Sequence, residues 1–195
     1  MKTQHTKSEY VLTPFEVEQI INASDSFEHR VLIKCLYWGG MRVSEAANLE
    51  IQHIDFERNT INIMESKGGK TRTIPFIEVG FKADLKHLIG GRDKDRVFRQ
   101  GKRMLQYIVQ ILGHKAKIKH PDPTAKHINA HLFRHSIARR LKSEGYKHEF
   151  IQKFLGHSSI KTTMDIYGTL SLNEMQQIVY VKSQNQLGNN TRGLF

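Results

Sequence analysis

Residues 59–76 read NTINIMESKGGKTRTIPF. Alternating and β-branched residues lie on both sides of Gly68-Gly69, the pattern of two strands joined by a tight turn. It predicts strands near 60–65 and 71–75, with Lys67 and Lys70 flanking the turn. The rest of the chain has the helical period. Upstream, LTPFEVEQIINAS offers Thr13 as N-cap, Pro14 as first helical residue and Glu16 to close a capping box. Phe15, Val17, Ile20 and Ile21 give that helix its apolar side. A second helix is predicted from about Phe27 to Trp38, ending at Gly39-Gly40, and a short third from Ser44-Glu45 through Leu49. Downstream, helices are predicted at about 80–89, 101–117, 131–144 and 147–155, with a short one around Tyr167. A last helix, Leu172 to about Ser183, opens with the Ser171-x-x-Glu174 box and carries a stripe of Leu172, Met175, Ile178 and Val179. The expected fold class is mainly α with a small antiparallel β-sheet (α+β). One domain is expected over residues 11–183, between loose segments at 1–10 and 184–195.

Hydrophobic residues make up 38% of the 195, too many for a disordered chain. The formal net charge is +11, and Lys and Arg recur beside turns rather than in one tail. Such a surplus points to a polyanionic partner, with nucleic acid the first candidate. The single cysteine, Cys35 in VLIKCLYWGG, can form no internal disulfide and is expected to be a buried structural thiol. No apolar stretch approaches a membrane span, and MKTQHTKSEY has no signal-peptide core, so a cytoplasmic location is expected.

Chemistry concentrates in HINAHLFRH, residues 127–135. Three readings compete there. His127, His131 and His135 are spaced by four, as in helical zinc sites. Against metal, no cysteine or HExxH glutamate is near, Arg134 adds a fixed positive charge, and a helix beginning near Ala130 would leave His127 off the shared face. The structural reading makes His135 a half-buried packing residue. The phosphate reading uses Arg134 as a planar fork for two oxygens, with His131 one turn back. A phosphoryl site wants a second arginine, and Arg42 in GMRVSE lies in the turn before a helix, where backbone donors also favour anions. It wants an acid for the leaving oxygen, and Lys67 and Lys70 lie at a hairpin tip. Tyr167, ten residues after His157, is a candidate nucleophile. Taken singly, each of these reads first as a solvated charge or a packing tyrosine.

Together they resemble the tyrosine recombinase (phage integrase) family. Arg42 in GMRVSEAANL, Lys67 in SKGGKTR, His131 and Arg134 in HLFRH, His157 in LGHSS and Tyr167 in TTMDIY occur in the family's order over about residues 10–182. Two features depart from the common pattern. The interval from His157 to Tyr167 is one residue longer, as in some integrases of phages and conjugative elements. The core-binding and arm-binding domains that usually precede this region are absent, so either an excised fragment or a natural minimal member is expected.

The resemblance implies the catalytic-domain fold of the family and double-stranded DNA as partner. It implies no metal and no other cofactor, a tetramer on DNA and a monomer without it. It makes Tyr167 the nucleophile that leaves a 3′-phosphotyrosyl link. Arg42 and Arg134 would clamp the non-bridging oxygens. His131 would accept the tyrosine proton or help place the phosphate, His157 would donate to the phosphate, and Lys67 would protonate the 5′-oxygen. Glu45 would support Arg42 from behind, and Lys70 and Arg72 would contact DNA. A type IB topoisomerase shares much of this chemistry, but the histidine of HLFRH favours a recombinase. A DNA-binding regulator has no need of Tyr167.

Overall fold

Thr13 and Glu16 form the reciprocal cap expected of them, and α1 (Pro14–Asn22) follows. The computed structural model describes residues 11–64 and 71–156, together with Gln176 and Val179. Helix α1 buries Val17, Ile20 and Ile21, but Phe15 is 72% exposed, so three apolar residues rather than four make its inner side. Ser26 caps α2 (Phe27–Tyr37), which buries Val31, Leu32, Ile33, Cys35, Leu36 and Tyr37. This nearly all-round burial makes α2 the central helix, packed on α1 and on two helices described below. Burial pushes the Cys35 thiol well above its ordinary pKa, so it stays an inert, protonated packing group.

The chain turns at Gly40, whose φ of +55° suits glycine, and enters α3 (Val43–Ala47) with Arg42 as its N-cap. A 3₁₀ turn (Ile51–His53) leads to β1 (Ile54–Asp55), β2 (Thr60–Met64) and β3 (Thr71–Pro75). The three strands form an antiparallel sheet in the order β1-β2-β3, with Ile61 opposite Ile74 and Ile63 opposite Arg72. The predicted hairpin is therefore present, with a two-residue edge strand added to it. Ile61, Ile63 and Ile74 turn inward, while Asn62 and Thr73 pair on the outer face.

Next come α4 (Val79–Ile89), α5 (Lys102–Lys115), α6 (Ala130–Ser143) and α7 (His148–Leu155). Helix α2 packs against α4 and α6, and α7 rests on both α6 and β3. That last contact joins the hairpin to the helical body. Phe133, Phe150, Phe154 and Leu155 are buried at this junction. Of the expected helix at 172–183, only Gln176 and Val179 are described. Both are helical; Gln176 Nε2 donates to the Arg58 carbonyl at 2.5 Å, and Val179 packs on the core. The expected loose segments at 1–10 and 184–195 and the helix around Tyr167 lie outside the described residues. No helix among the described residues is long and apolar enough to cross a membrane.

Candidate active site

The site forms where the start of α3, the start of α6 and the end of α7 meet. Arg42 is fixed twice by one side chain. Its backbone N–H donates to Glu45 Oε2 and its guanidinium to Glu45 Oε1, both at 2.7 Å. The Arg42 side chain remains 39% exposed, whereas that of Glu45 is 1% exposed beneath it. From behind, Arg72 donates to both Glu45 oxygens at 2.8 Å, a bidentate fork. Burial pushes the Glu45 pKa up, but the bonds and charges of Arg72, then those of Arg42, outweigh it and hold the carboxyl below its ordinary range. Glu45 is therefore a carboxylate, and it keeps Arg42 aimed outward.

Asn129 caps α6 by accepting from the Leu132 N–H at 3.1 Å, and so sets the helix start. His131 sits in the first turn and faces solvent; its ring meets His135 edge-on at 4.4 Å. Burial lowers the His131 pKa first, and the charges of His135, Arg134 and Arg42 lower it further. Both arginines are thus within electrostatic reach of one imidazole, which is held neutral with a lone pair to offer. Arg134 is only 2% exposed, and its guanidinium donates to the carbonyls of Gly40 and Leu155. It ties the turn before α3 to the end of α7. Gly40 allows this close approach: a Cβ there would lie 2.7 Å from Leu155 Cδ2.

Residues 10–174 match the model of the phage integrase family. The chain belongs to that family. A tyrosine recombinase XerA of Pyrococcus furiosus is 32% identical over 181 residues, covering 86% of this chain and 60% of that protein. The chain spans about three fifths of the length of the curated relatives it matches. The crystal structure of XerA recombinase superposes with a TM-score of 0.66 at 26% identity, over 88% of this chain and 64% of that one. The lambda integrase catalytic core shares the fold, with a TM-score of 0.63 at 17% identity, over 76% of this chain and 95% of that one.

In this integrase-family chain, Arg42, Glu45, His131 and Arg134 gather at one place. Lys67, Lys70, His157 and Tyr167 lie outside the described residues. Two expectations need correction. Arg72, expected to contact DNA, is 8% exposed and turned inward to Glu45. The alternation in TRTIP already carried the signal, since Arg72 shares a strand face with buried Ile74. His135, expected to be half-buried, is exposed, with its ring edge-on to that of His131. His127 precedes α6, which begins at Ala130, and does not share the face of His131 and His135.

Proposed function

We propose that this chain is the catalytic domain of a site-specific tyrosine recombinase acting on double-stranded DNA in the cytoplasm. The observation that carries the reading is two arginines and a neutral histidine in mutual electrostatic reach at the end of α7, whose chain continues to His157 and, ten residues later, Tyr167. One relative structure is of the XerH site-specific recombinase bound to its difH substrate, at 25% identity and a TM-score of 0.61. It supports DNA as the ligand of this surface.

In this reading the Tyr167 oxygen attacks the scissile phosphorus and its proton passes to His131. The bond from phosphorus to the 5′-oxygen breaks, and Lys67 protonates that oxygen. The products are a 3′-phosphotyrosyl link and a free 5′-hydroxyl, and attack by a partner strand's 5′-hydroxyl runs the steps backward. Arg42 and His157 hold the non-bridging oxygens, whose charge grows in the transition state, while the buried Arg134, which donates to the Gly40 and Leu155 carbonyls, adds its positive charge from beneath. One phosphodiester replaces another, so no ATP is consumed. The Gln176–Arg58 bond and the packing of Val179 support docking of the C-terminal segment on its own domain, hence a monomer without DNA and a tetramer only on it.

The test is a nicked duplex from the chain's own attachment region, which traps the protein on DNA. A denaturing gel should show a covalent adduct with the parent and none with Tyr167→Phe, which removes one oxygen and little volume. An undiminished adduct with Tyr167→Phe would move the nucleophile elsewhere. No adduct with the parent would remove the recombinase reading.

A further inference from the structure

The last three carbonyls at the end of α7 each accept from a different arginine. Arg72 Nε donates to the Phe154 carbonyl at 3.0 Å, Arg134 donates to that of Leu155, and Arg42 reaches that of Gly156 at 3.5 Å, the limit of such a bond. Carbonyls at a helix C-terminus lack helical partners and carry partial negative charge, so guanidinium groups satisfy them on both counts. Arg42 belongs to the proposed phosphate clamp, and Arg134 lies buried beneath it. The third, Arg72, comes from β3 and has no place in that clamp.

Arg72 nevertheless holds what the clamp depends on. Glu45 accepts four hydrogen bonds, two from Arg42 at 2.7 Å and two from Arg72 at 2.8 Å. The carboxylate cannot swing without breaking bonds on both sides. The Arg72 fork is itself wedged. Gly156 has φ +66°, and a Cβ there would lie 2.7 Å from Arg72 Cδ and 3.1 Å from its Nη1. Strand β3, the carboxylate and the end of α7 are thereby joined through one guanidinium.

We infer that Arg72 is a positioning residue for strand cleavage: it locks Glu45 and the end of α7 to β3, and so sets the direction in which Arg42 meets the scissile phosphate. This rests on the recombinase reading above. Arg72 does this from inside the fold. A lysine at 72 keeps a charge opposite Glu45 but has no planar fork to reach both oxygens and the Phe154 carbonyl at once.

A residue that merely stabilises the fold makes a different prediction from one that aims Arg42. Replacing a non-bridging oxygen of the scissile phosphate with methyl removes the negative charge that Arg42 faces. A defect caused by a misaimed Arg42 shrinks on that methylphosphonate. A defect caused by a loosened fold is the same on both substrates.

The experiment measures single-turnover cleavage of the nicked duplex, ordinary and methylphosphonate, by the parent, Arg72→Lys and Arg72→Met at saturating protein, with the melting temperature of each. On the ordinary duplex the variants should be about 10- to 100-fold slower, the range seen when groups supporting a site's primary ligands are lost, with Met worse than Lys. On the methylphosphonate each should come within a few-fold of the parent. If Arg72→Met is unfolded at the assay temperature, Arg72→Lys carries the comparison. Equal defects on the two duplexes, or no defect on the ordinary one, would overturn the inference while the parent still cleaves. A parent that cleaves neither duplex sinks the recombinase reading, and this inference with it.

Discussion

Replacing Gly156 with alanine tests the junction from the opposite side. At φ +66° and ψ 50° the residue lies in the left-handed region, where any other L-residue pays about 1–2 kcal/mol of strain. The added methyl would also lie 2.7 Å from Arg72 Cδ and 3.2 Å from its Nε. Arg72 cannot retreat cheaply, because its guanidinium is held by both Glu45 oxygens and by the Phe154 carbonyl. Overpacking of this kind costs about 1–3 kcal/mol. The sum is a loss of about 2–5 kcal/mol, which at roughly 2–4 °C per kcal/mol for a domain of this size lowers Tm by about 4–20 °C. Urea midpoints and thermal melts would measure it. Gly91→Ala is the control: nothing lies within 4 Å of its added methyl, and a change within about 0.5 kcal/mol is expected. The decisive step is a double-mutant cycle with Arg72→Ala, which clears the Cδ from the methyl's path. In that background the Gly156→Ala cost should fall to the backbone strain alone, about 1–2 kcal/mol. A cost unchanged by removal of Arg72 would refute the wedge and show that the two residues are independent.

Three further outcomes are expected. Lys67→Ala should slow cleavage about 10²- to 10⁴-fold, and a duplex with sulfur in place of the bridging 5′-oxygen should restore it, since a thiol with pKa near 8.5 leaves without a proton. Arg134→Ala should show no such rescue, and rescue of Lys70→Ala instead would mark the wrong lysine. The pKa values of His131 and His135 are both lowered, so the unfolded chain binds these protons more readily. Their contribution to stability is full above the ordinary histidine range and is lost as pH falls through it. His135→Ala removes a ring in contact with His131 whose charge helps lower its pKa, so the His131 pKa should rise in an NMR titration and the acid limb of cleavage should move to higher pH. A downward or null shift would show that His135 does not lower the His131 pKa.

The elements most legible in the sequence are those with local signatures. The Thr13–Glu16 box, the Gly68-Gly69 hairpin and the helical stripes depend on residues a few positions apart, and the structure shows α1, β2, β3 and α7 close to where those signs put them. Strand β1 has only two residues, too few for any period to show. Phe15 reads as core from its hydrophobicity, yet α1 reaches the core with Val17, Ile20 and Ile21 and leaves the first turn outside. Arg72 reads as a surface cation because long charged residues are rarely buried unpaired, and its partner Glu45 lies 27 positions away on another element. Glu45, by contrast, was expected beside Arg42 from the family resemblance, and the structure pairs the two, three residues apart at the start of α3.

What no local pattern conveys is why three arginines converge at all, since they come from α3, β3 and α6. Crowded guanidinium groups repel, and Glu45 together with the α7 carbonyls offsets that repulsion only in part. Among the described residues at this junction, three fixed positive charges face one carboxylate, and His131 is held neutral within reach of Arg42 and Arg134. The formal surplus is two positive charges. A phosphodiester carries one negative charge in its ground state. The five-coordinate arrangement reached when a phenolate adds to it carries two. In the proposed reaction a positive surplus therefore stabilises the transition state more than the bound substrate, and only such a differential effect lowers the barrier to cleavage. In the proposed reaction a neutral His131 keeps a lone pair for the tyrosine proton, which an imidazolium could not accept.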